Sequence, residues 1–241
     1  MKIFIVGITG AMGRTFFNLD GDFEIVGGFA EKEDREKNIY NNFKDVDVDF
    51  DVIIDFSNKS IVDDTIRFAL EKKKPLVEAT TGLSERTMDN LKKASEEVPV
   101  IYSRNYSLGI NVMEKIVREL TKMLDGFDIE IIEAHHNKKK DAPSGTALML
   151  LDAVKKERCV SEIYDRTKLH KMRDKNEVGI SSVRAGTING DHTVIFAGDS
   201  EILQIKHSAG SKNIFANGAI KAAKFLLGKE KGLYNFKDIL E

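Results

Sequence analysis

The chain of 241 residues has one cysteine, three prolines and no tryptophan. A single cysteine excludes an intrachain disulfide framework and a cysteine-rich metal site. Cys159 stands beside Arg158 at an expected helix end and reads as a buried or incidental thiol. No apolar run approaches the roughly 20 residues of a membrane span. The opening run Lys2-Ile3-Phe4-Ile5-Val6 is too short for a signal-peptide core and ends in glycine. Charge of one sign is also missing: 37 basic residues against 39 acidic ones leave a net charge of −2. No global positive field draws such a chain onto nucleic acid. What remains is a soluble, globular protein expected in the cytoplasm, bound to neither membrane nor nucleic acid. At 41% hydrophobic and 32% charged residues it can bury one large core or two modest ones.

The first hundred residues alternate short apolar runs with helical periodicity. Strands are expected at 2–6, 23–29, 52–56, 75–79 and 98–102, and helices at 12–19, 60–72 and 84–97. Ser84 is a plausible cap for the last of these. Ile61, Thr65, Phe68 and Ala69 give the second helix its apolar stripe. The charge run 31–37 reads as a solvated loop. This rhythm predicts a doubly wound parallel sheet. After Asn105 the rhythm changes. A helix is expected over 109–124, a half-buried strand over 127–133 and a helix from Pro143 to about 158. Residues 160–178 read as polar and irregular, a mobile or partner-facing segment. Strands at 180–184, 192–196 and 201–207 suggest a mostly open sheet, and 212–227 a last amphipathic helix returning to the first domain. No repeat or low-complexity linker interrupts the chain. The expected division is 1–106 with 213–241, and 107–212.

Gly7, Gly10 and Gly13 lie between an expected strand and an expected helix. Small residues there let backbone approach a pyrophosphate, whose charge suits a helix N-terminus. The spacing departs from G-x-G-x-x-G, with Thr9 in one glycine position, so an ordinary tight turn is the competing reading. Glu31 follows the second strand, 18 residues past Gly13. A carboxylate there accepts hydrogen bonds from an adenosine ribose and favours NAD, whereas Lys32 offers a partner for the 2′-phosphate of NADP. Both residues equally suit a solvated charge run. Asp55-Phe56-Ser57 and Thr80-Thr81-Gly82 end strands of the same sheet, where open α/β sheets bind ligands.

Residues 133–146 carry the densest chemistry: Glu133-Ala134-His135-His136-Asn137-Lys138-Lys139-Lys140-Asp141-Ala142-Pro143-Ser144-Gly145-Thr146. Imidazole suits proton transfer near neutral pH. Ser144, Gly145 and Thr146 open a helix whose first N–H groups lack partners, a natural carboxylate or phosphate site. On extended backbone His135 and His136 face opposite ways, and no cysteine or second acidic cluster completes a metal site with them. No metal is therefore expected. Charge alone does not choose among Lys138, Lys139 and Lys140. The loop reads as a place where a small anion is held and given a proton.

That stretch resembles the signature of the 4-hydroxy-tetrahydrodipicolinate reductase (dihydrodipicolinate reductase) family. The resemblance extends to Gly7–Arg14, 55–57, 80–82, 105–111, Arg184-Ala185-Gly186, Gly190-Asp191-His192 and 215–219. It implies a Rossmann-like doubly wound sheet plus an α+β domain with an open mixed sheet for substrate binding and homotetramer formation. It implies reduction of a cyclic dicarboxylic hydroxy-imine by NADH or NADPH, with loss of water, in the diaminopimelate route to lysine. By position, His135 is the implied proton donor and Lys139 the second catalytic residue. His136, Lys139, Ser144, Gly145 and Thr146 are the implied substrate grip. The cofactor would meet Gly7, Thr9, Gly10, Ala11, Met12, Gly13, Glu31, Lys32, Phe56, Ser57, Ala79, Thr80, Thr81, Asn105, Tyr106, Lys212 and Phe215. Four positions depart from the family's usual residues. Ala11 and Lys212 stand where arginine is common, Ala79 where glycine is, and Tyr106 where phenylalanine is. Two other readings compete: another dehydrogenase on this fold, for which Cys159 is poorly placed as a nucleophile, and a nucleotide-sensing protein without turnover.

Overall fold

The computed structural model of the protein describes residues 1–240. It divides into two compact units, one of Met1–Ser107 with the segment from Lys212 onward, the other of Leu108–Ser211.

The first unit is built on a parallel sheet. Its strands are β1 (Lys2–Val6), β2 (Glu24–Phe29), β3 (Ile39–Tyr40), β4 (Val52–Asp55), β5 (Leu76–Glu78), β6 (Pro99–Tyr102) and β12 (Gly232–Tyr234), in the order β12-β6-β5-β4-β1-β2-β3. Every pairing is parallel. Helices cover both faces, so the central strands are apolar on both sides. Ile3, Ile5, Ile54, Val77 and Ile101 pack with α5 (Asn213–Leu226). Phe4, Val6, Ile53, Leu76 and Val100 pack with α1 (Val62–Lys72) and α2 (Glu85–Ala94). Ser84 caps α2, its side chain accepting the Thr87 amide.

One expectation for this unit needs correction, and two short strands were not expected. The helix expected over 12–19 is a six-residue 3-10 helix, Gly13–Asn18. The Thr15 hydroxyl bonds back to the Met12 carbonyl at 2.7 Å, and such local bonds compete with a longer helix. The charge run 31–37 is solvated as expected, exposed but for half-buried Asp34, and holds a 3-10 turn at Arg35–Lys37. β3 and β12 hold two and three residues, too few to show a period of two.

The second unit carries a five-stranded sheet. β7 (Asp128–His135), β8 (Ser161–Ile163), β9 (Glu177–Arg184), β10 (Asp191–Ala197) and β11 (Ile202–Ser208) lie in the order β11-β10-β7-β9-β8. β7–β9 and β8–β9 are parallel; the other pairings are antiparallel. α3 (Leu108–Met123) and α4 (Gly145–Lys155) cover one face, burying Ile129, Ile131, Val178, Ile180, Val194 and Phe196. Outward-pointing Ile132, Val183 and Ile202 are 37%, 44% and 67% exposed. The segment 160–178 is not irregular throughout. It contributes β8, and Arg173 ties it down by donating to the Ile129 carbonyl and pairing with Asp128 at 3.0 Å. Cys159 lies beyond the end of α4 and is exposed rather than buried.

Candidate active site

β7 reads Asp-Ile-Glu-Ile-Ile-Glu-Ala-His, and strand alternation decides which side chains meet. Ile129 and Ile131 face the helices, so Glu133 and His135 do as well. The register brings Arg184 beside His135 and His192 beside Glu133. A polar cluster thus forms at one end of an otherwise apolar face.

Glu133 is at its centre and fully buried. Its Oε1 accepts Arg184 Nη2 at 2.7 Å and the Ser144 amide at 3.3 Å; its Oε2 accepts Arg184 Nη1 at 2.9 Å and lies 2.5 Å from His135 Nδ1. Burial pushes this carboxyl up, but Arg184, Ser182 and His135 outweigh it and hold it down at about 2. It is therefore a carboxylate at neutral pH, an acceptor only, and His135 Nδ1 must be the donor. That fixes the tautomer and leaves Nε2 for exchange. A methyl group built on Gly190 would stand 3.1 Å from that Nε2, so glycine keeps its approach open.

His192 crosses the His135 ring edge-on, with centroids 5.2 Å apart. Burial and the neighbouring His135 lower its pKa to about 4, against the pull of Glu133, so it is neutral. Its Nε2 lies 3.0 Å from the Ser144 hydroxyl. Ser144 is the N-cap of α4, accepting the Ala147 amide at 3.2 Å. Pro143 precedes the cap instead of occupying the first turn. The loop back to β7 is closed by Arg184, whose Nη2 also donates to the Asp141 carbonyl at 2.7 Å.

The three lysines are not equivalent in the fold. Lys138 and Lys140 are exposed, whereas the Lys139 side chain is 21% exposed and pairs with Asp141 at 2.8 Å. His135 and Ser144 are joined through Glu133, and Lys139 is joined to them through Asp141 and Arg184. His136 is half-buried and outside this network, with Nδ1 unpartnered among the described residues. Gly145 opens the helix with free space around it, and Thr146 follows it, half-buried. Sequence reasoning gave no role to Glu133, Arg184 or His192. Alternation along β7 was the signal available for Glu133; Arg184 and His192 come from strands whose pairing only the fold reveals.

In the first unit, a cavity of about 660 Å³ opens beyond β4, β5 and β6. Met12, Phe56, Ser57, Ala79, Thr80, Thr81, Asn105, Tyr106 and Phe215 line it, with Asn58, Lys59, Gly82 and Arg104. That volume suits part of a dinucleotide. Gly7, Thr9, Gly10, Ala11, Gly13, Glu31, Lys32 and Lys212 are not in its wall. Thr9, Gly10, Ala11, Glu31, Lys32 and Lys212 are exposed, and Lys212 is the N-cap of α5. Gly7 has φ +83°, and a Cβ there would meet the Phe56 carbonyl at 2.9 Å; one on Gly13 would meet the Gly7 carbonyl at 2.3 Å. The turn thus requires both glycines for its own packing. It leads into a 3-10 helix only, so a long helix dipole is absent from the cradle. Thr9, Gly10 and Ala11 are exposed at this turn, where the Gly10 amide already bonds the Gly7 carbonyl at 2.9 Å. The residues fit a nicotinamide dinucleotide: a cavity with polar turns at strand ends, a glycine loop, and an acidic residue after β2.

Residues 1–106 match the family described as dihydrodipicolinate reductase, N-terminus, and residues 109–240 its C-terminus. The chain belongs to the dihydrodipicolinate reductase family. It is 44% identical to the 4-hydroxy-tetrahydrodipicolinate reductase of Caldanaerobacter subterraneus subsp. tengcongensis, covering 100% of this chain and 98% of that one. It is 42% identical to the enzyme of that name from Clostridium tetani, over 100% of this chain and 97% of the relative. Among solved structures, the dipicolinate-bound dihydrodipicolinate reductase of Paenisporosarcina sp. TG-14 shares the fold, with a TM-score of 0.81 at 20% identity, covering 98% of this chain and 97% of that one. The doubly wound sheet and separate mixed sheet expected from sequence are both present in this family member.

Proposed function

We propose that this chain reduces 4-hydroxy-tetrahydrodipicolinate to tetrahydrodipicolinate, with loss of water, in lysine biosynthesis through the diaminopimelate pathway. The observation that carries the reading is the Arg184–Glu133–His135 chain beside the capped N-terminus of α4. It provides an oriented imidazole next to backbone N–H groups suited to a carboxylate.

Bound NADH or NADPH supplies the hydride. The protein's residues do the rest. His136, Lys139, Ser144, Gly145 and Thr146 hold the dicarboxylate. His135 gives the proton from Nε2, and Glu133 steadies the imidazolium when His135 is charged. Lys139 is the second catalytic residue, its ammonium kept in place by Asp141 until substrate competes for it. Gly7, Thr9, Gly10, Ala11, Met12 and Gly13 would hold the cofactor's pyrophosphate, and Glu31 and Lys32 its adenosine ribose. Phe56, Ser57, Ala79, Thr80, Thr81, Asn105, Tyr106, Lys212 and Phe215 would hold the nicotinamide half. Residues 1–106 and 213–241 are accordingly the dinucleotide-binding domain, and 107–212 the substrate domain.

The outward face of the second sheet, with Ile132, Val183 and Ile202 exposed, supports assembly into a homotetramer. The biosynthetic role puts the enzyme in the cytoplasm with its nicotinamide pool. No helix among the described residues is long and apolar enough to cross a membrane. The test is product identification: mass spectrometry after incubation with the pathway's hydroxylated cyclic precursor and NADH or NADPH should show tetrahydrodipicolinate. Nucleotide binding without product would contradict the assignment.

A further inference from the structure

Two carboxyl groups without an assigned role lie side by side under the cavity of the first unit. Asp55 ends β4, Glu78 ends β5, and the parallel register pairs them directly. Register partners on neighbouring parallel strands point to the same face, about 4.8 Å apart along the hydrogen-bonding direction. Both side chains are 0% exposed.

Each carboxyl has one oxygen engaged. Asp55 Oδ1 accepts the Ser57 amide at 2.7 Å and the Thr80 hydroxyl at 3.4 Å. Glu78 Oε1 accepts the Thr80 amide at 2.7 Å. The other two oxygens, Asp55 Oδ2 and Glu78 Oε2, have no hydrogen-bond partner among the described residues, and no cation pairs with either group. Two adjacent buried anions without a counter-charge are strongly disfavoured. One proton removes the difficulty, because it leaves a single charge on the pair and gives one carboxyl an O–H to donate.

We propose that Asp55 and Glu78 share a single proton, and that this carboxyl–carboxylate pair positions the two turns lining the cofactor cavity. Ser57 and Thr80, which the pair holds, both stand in the cavity wall. Burial favours the neutral form of both acids, and the negative Asp55 adds to the effect on Glu78. The Thr65 hydroxyl is a further hydrogen-bond donor to Asp55, and no cation among the described residues pairs with either acid. β1 presents Val6 beside Asp55, β6 presents Tyr102 beside Glu78, and α1 presents the Thr65 hydroxyl. The Tyr106 hydroxyl donates to the Glu78 carbonyl at 2.7 Å. Of these neighbours only the two tyrosines titrate; burial and Glu78 push both phenols up, while Arg104 pulls Tyr102 the other way. Loss of the shared proton at alkaline pH sets two charges against each other and disturbs both turns.

The shared proton rests on the first unit alone; its link to cofactor binding rests on the reductase reading. Two measurements separate them. Infrared titration of the whole protein should show a protonated-carboxyl stretch at neutral pH that E78Q abolishes. NADH titration by fluorescence should show wild-type affinity falling roughly tenfold across the alkaline loss of the proton, the factor carried by one pKa unit between bound and free states. E78Q keeps the Thr80 contact and replaces the proton with an amide N–H, so its NADH profile should be flat. E78A offers no donor and should bind weakly at every pH. Absence of a carboxyl band sensitive to E78Q, or an alkaline fall in E78Q matching wild type, overturns the proposal. A band without any NADH binding leaves the proton pair standing and contradicts the reductase reading instead.

Discussion

Arg184 grips Glu133 with two parallel hydrogen bonds, at 2.7 and 2.9 Å. Such bidentate pairs fix geometry as well as charge. Because Glu133 is buried and ionised, its Oε2 has one further duty, accepting Nδ1–H of His135 at 2.5 Å. Replacement by an amide loses the charge that steadies a protonated His135 and allows an N–H to face Nδ1. E133Q should lower kcat by about 10²-fold, within the range of general acid–base contributions, and shift the alkaline-side limb of the kcat profile, where the donated proton is lost, to lower pH. Steady-state rates across pH check both effects. A loss of kcat with an unmoved profile would point to structural damage only.

H135Q and K139A should each reduce kcat by about 10²–10⁴-fold, the usual contribution of a positioned proton donor. Neither residue belongs to the first unit, proposed to hold the dinucleotide, so NADH affinity measured by fluorescence should be retained. Full turnover in both variants would remove their assigned roles.

Gly190 tests the same geometry from the other side. In G190A the new methyl would sit 3.1 Å from His135 Nε2, crowding the atom that exchanges the proton. Turnover should fall about tenfold, with substrate KM less affected, since the loss is confined to the reacting geometry. Kinetics matching wild type would show that Nε2 is not the exchanging atom.

Acid should destabilise the second unit in two windows. The folded pKa of His192 is lowered from 6.5 to about 4. Between those values the unfolded chain takes up a proton that the folded chain refuses, so stability falls as pH drops through that range. Glu133 is lowered from 4.5 to about 2, so its stabilisation, on the order of 3 kcal/mol, is present above pH 4.5 and lost as pH falls toward 2. Denaturant midpoints measured against pH should decline over both windows. H192Q should flatten the upper decline and leave the lower one in place; an unchanged upper decline would rule out His192 as its source.

In the proposed function Glu31 and Lys32, exposed just after β2, meet the adenosine ribose and set the choice of nucleotide. A ribose hydrogen bond to a carboxylate contributes about 1.5–3 kcal/mol. E31A should therefore reduce kcat/KM for NADH by roughly 10- to 100-fold and affect NADPH less, whereas K32A should do the reverse. Equal effects on both cofactors would separate these residues from the ribose.

The fold was legible wherever a period spanned several residues. β7 shows its alternation over eight positions, and α3 its apolar stripe over sixteen. β3 and β12 are two and three residues long and pair through neighbours distant in sequence, so no local pattern marks them. The first crossover failed differently: its pattern suits a helix, but the Thr15 hydroxyl and the close approach of Gly13 to Gly7 favour a short 3-10 turn. At the candidate site, His135, Lys139 and Ser144 stand out because they share one loop. Arg184 and His192 reach it from β9 and β10, and nothing local to those strands says which buried carboxylate they meet. The sequence marks Asp55 only as part of a ligand-binding strand end and does not mark Glu78; their register makes them neighbours.

The most direct measurement follows NADH oxidation by wild type and H135Q at neutral pH, with the hydroxylated product of the preceding pathway step present or withheld, and repeats it with NADPH. Wild type should oxidise at least one nucleotide only when that substrate is present, and H135Q should be slower by about 10²-fold or more with NADH affinity retained. Substrate-independent oxidation, or an H135Q rate equal to wild type, would contradict it.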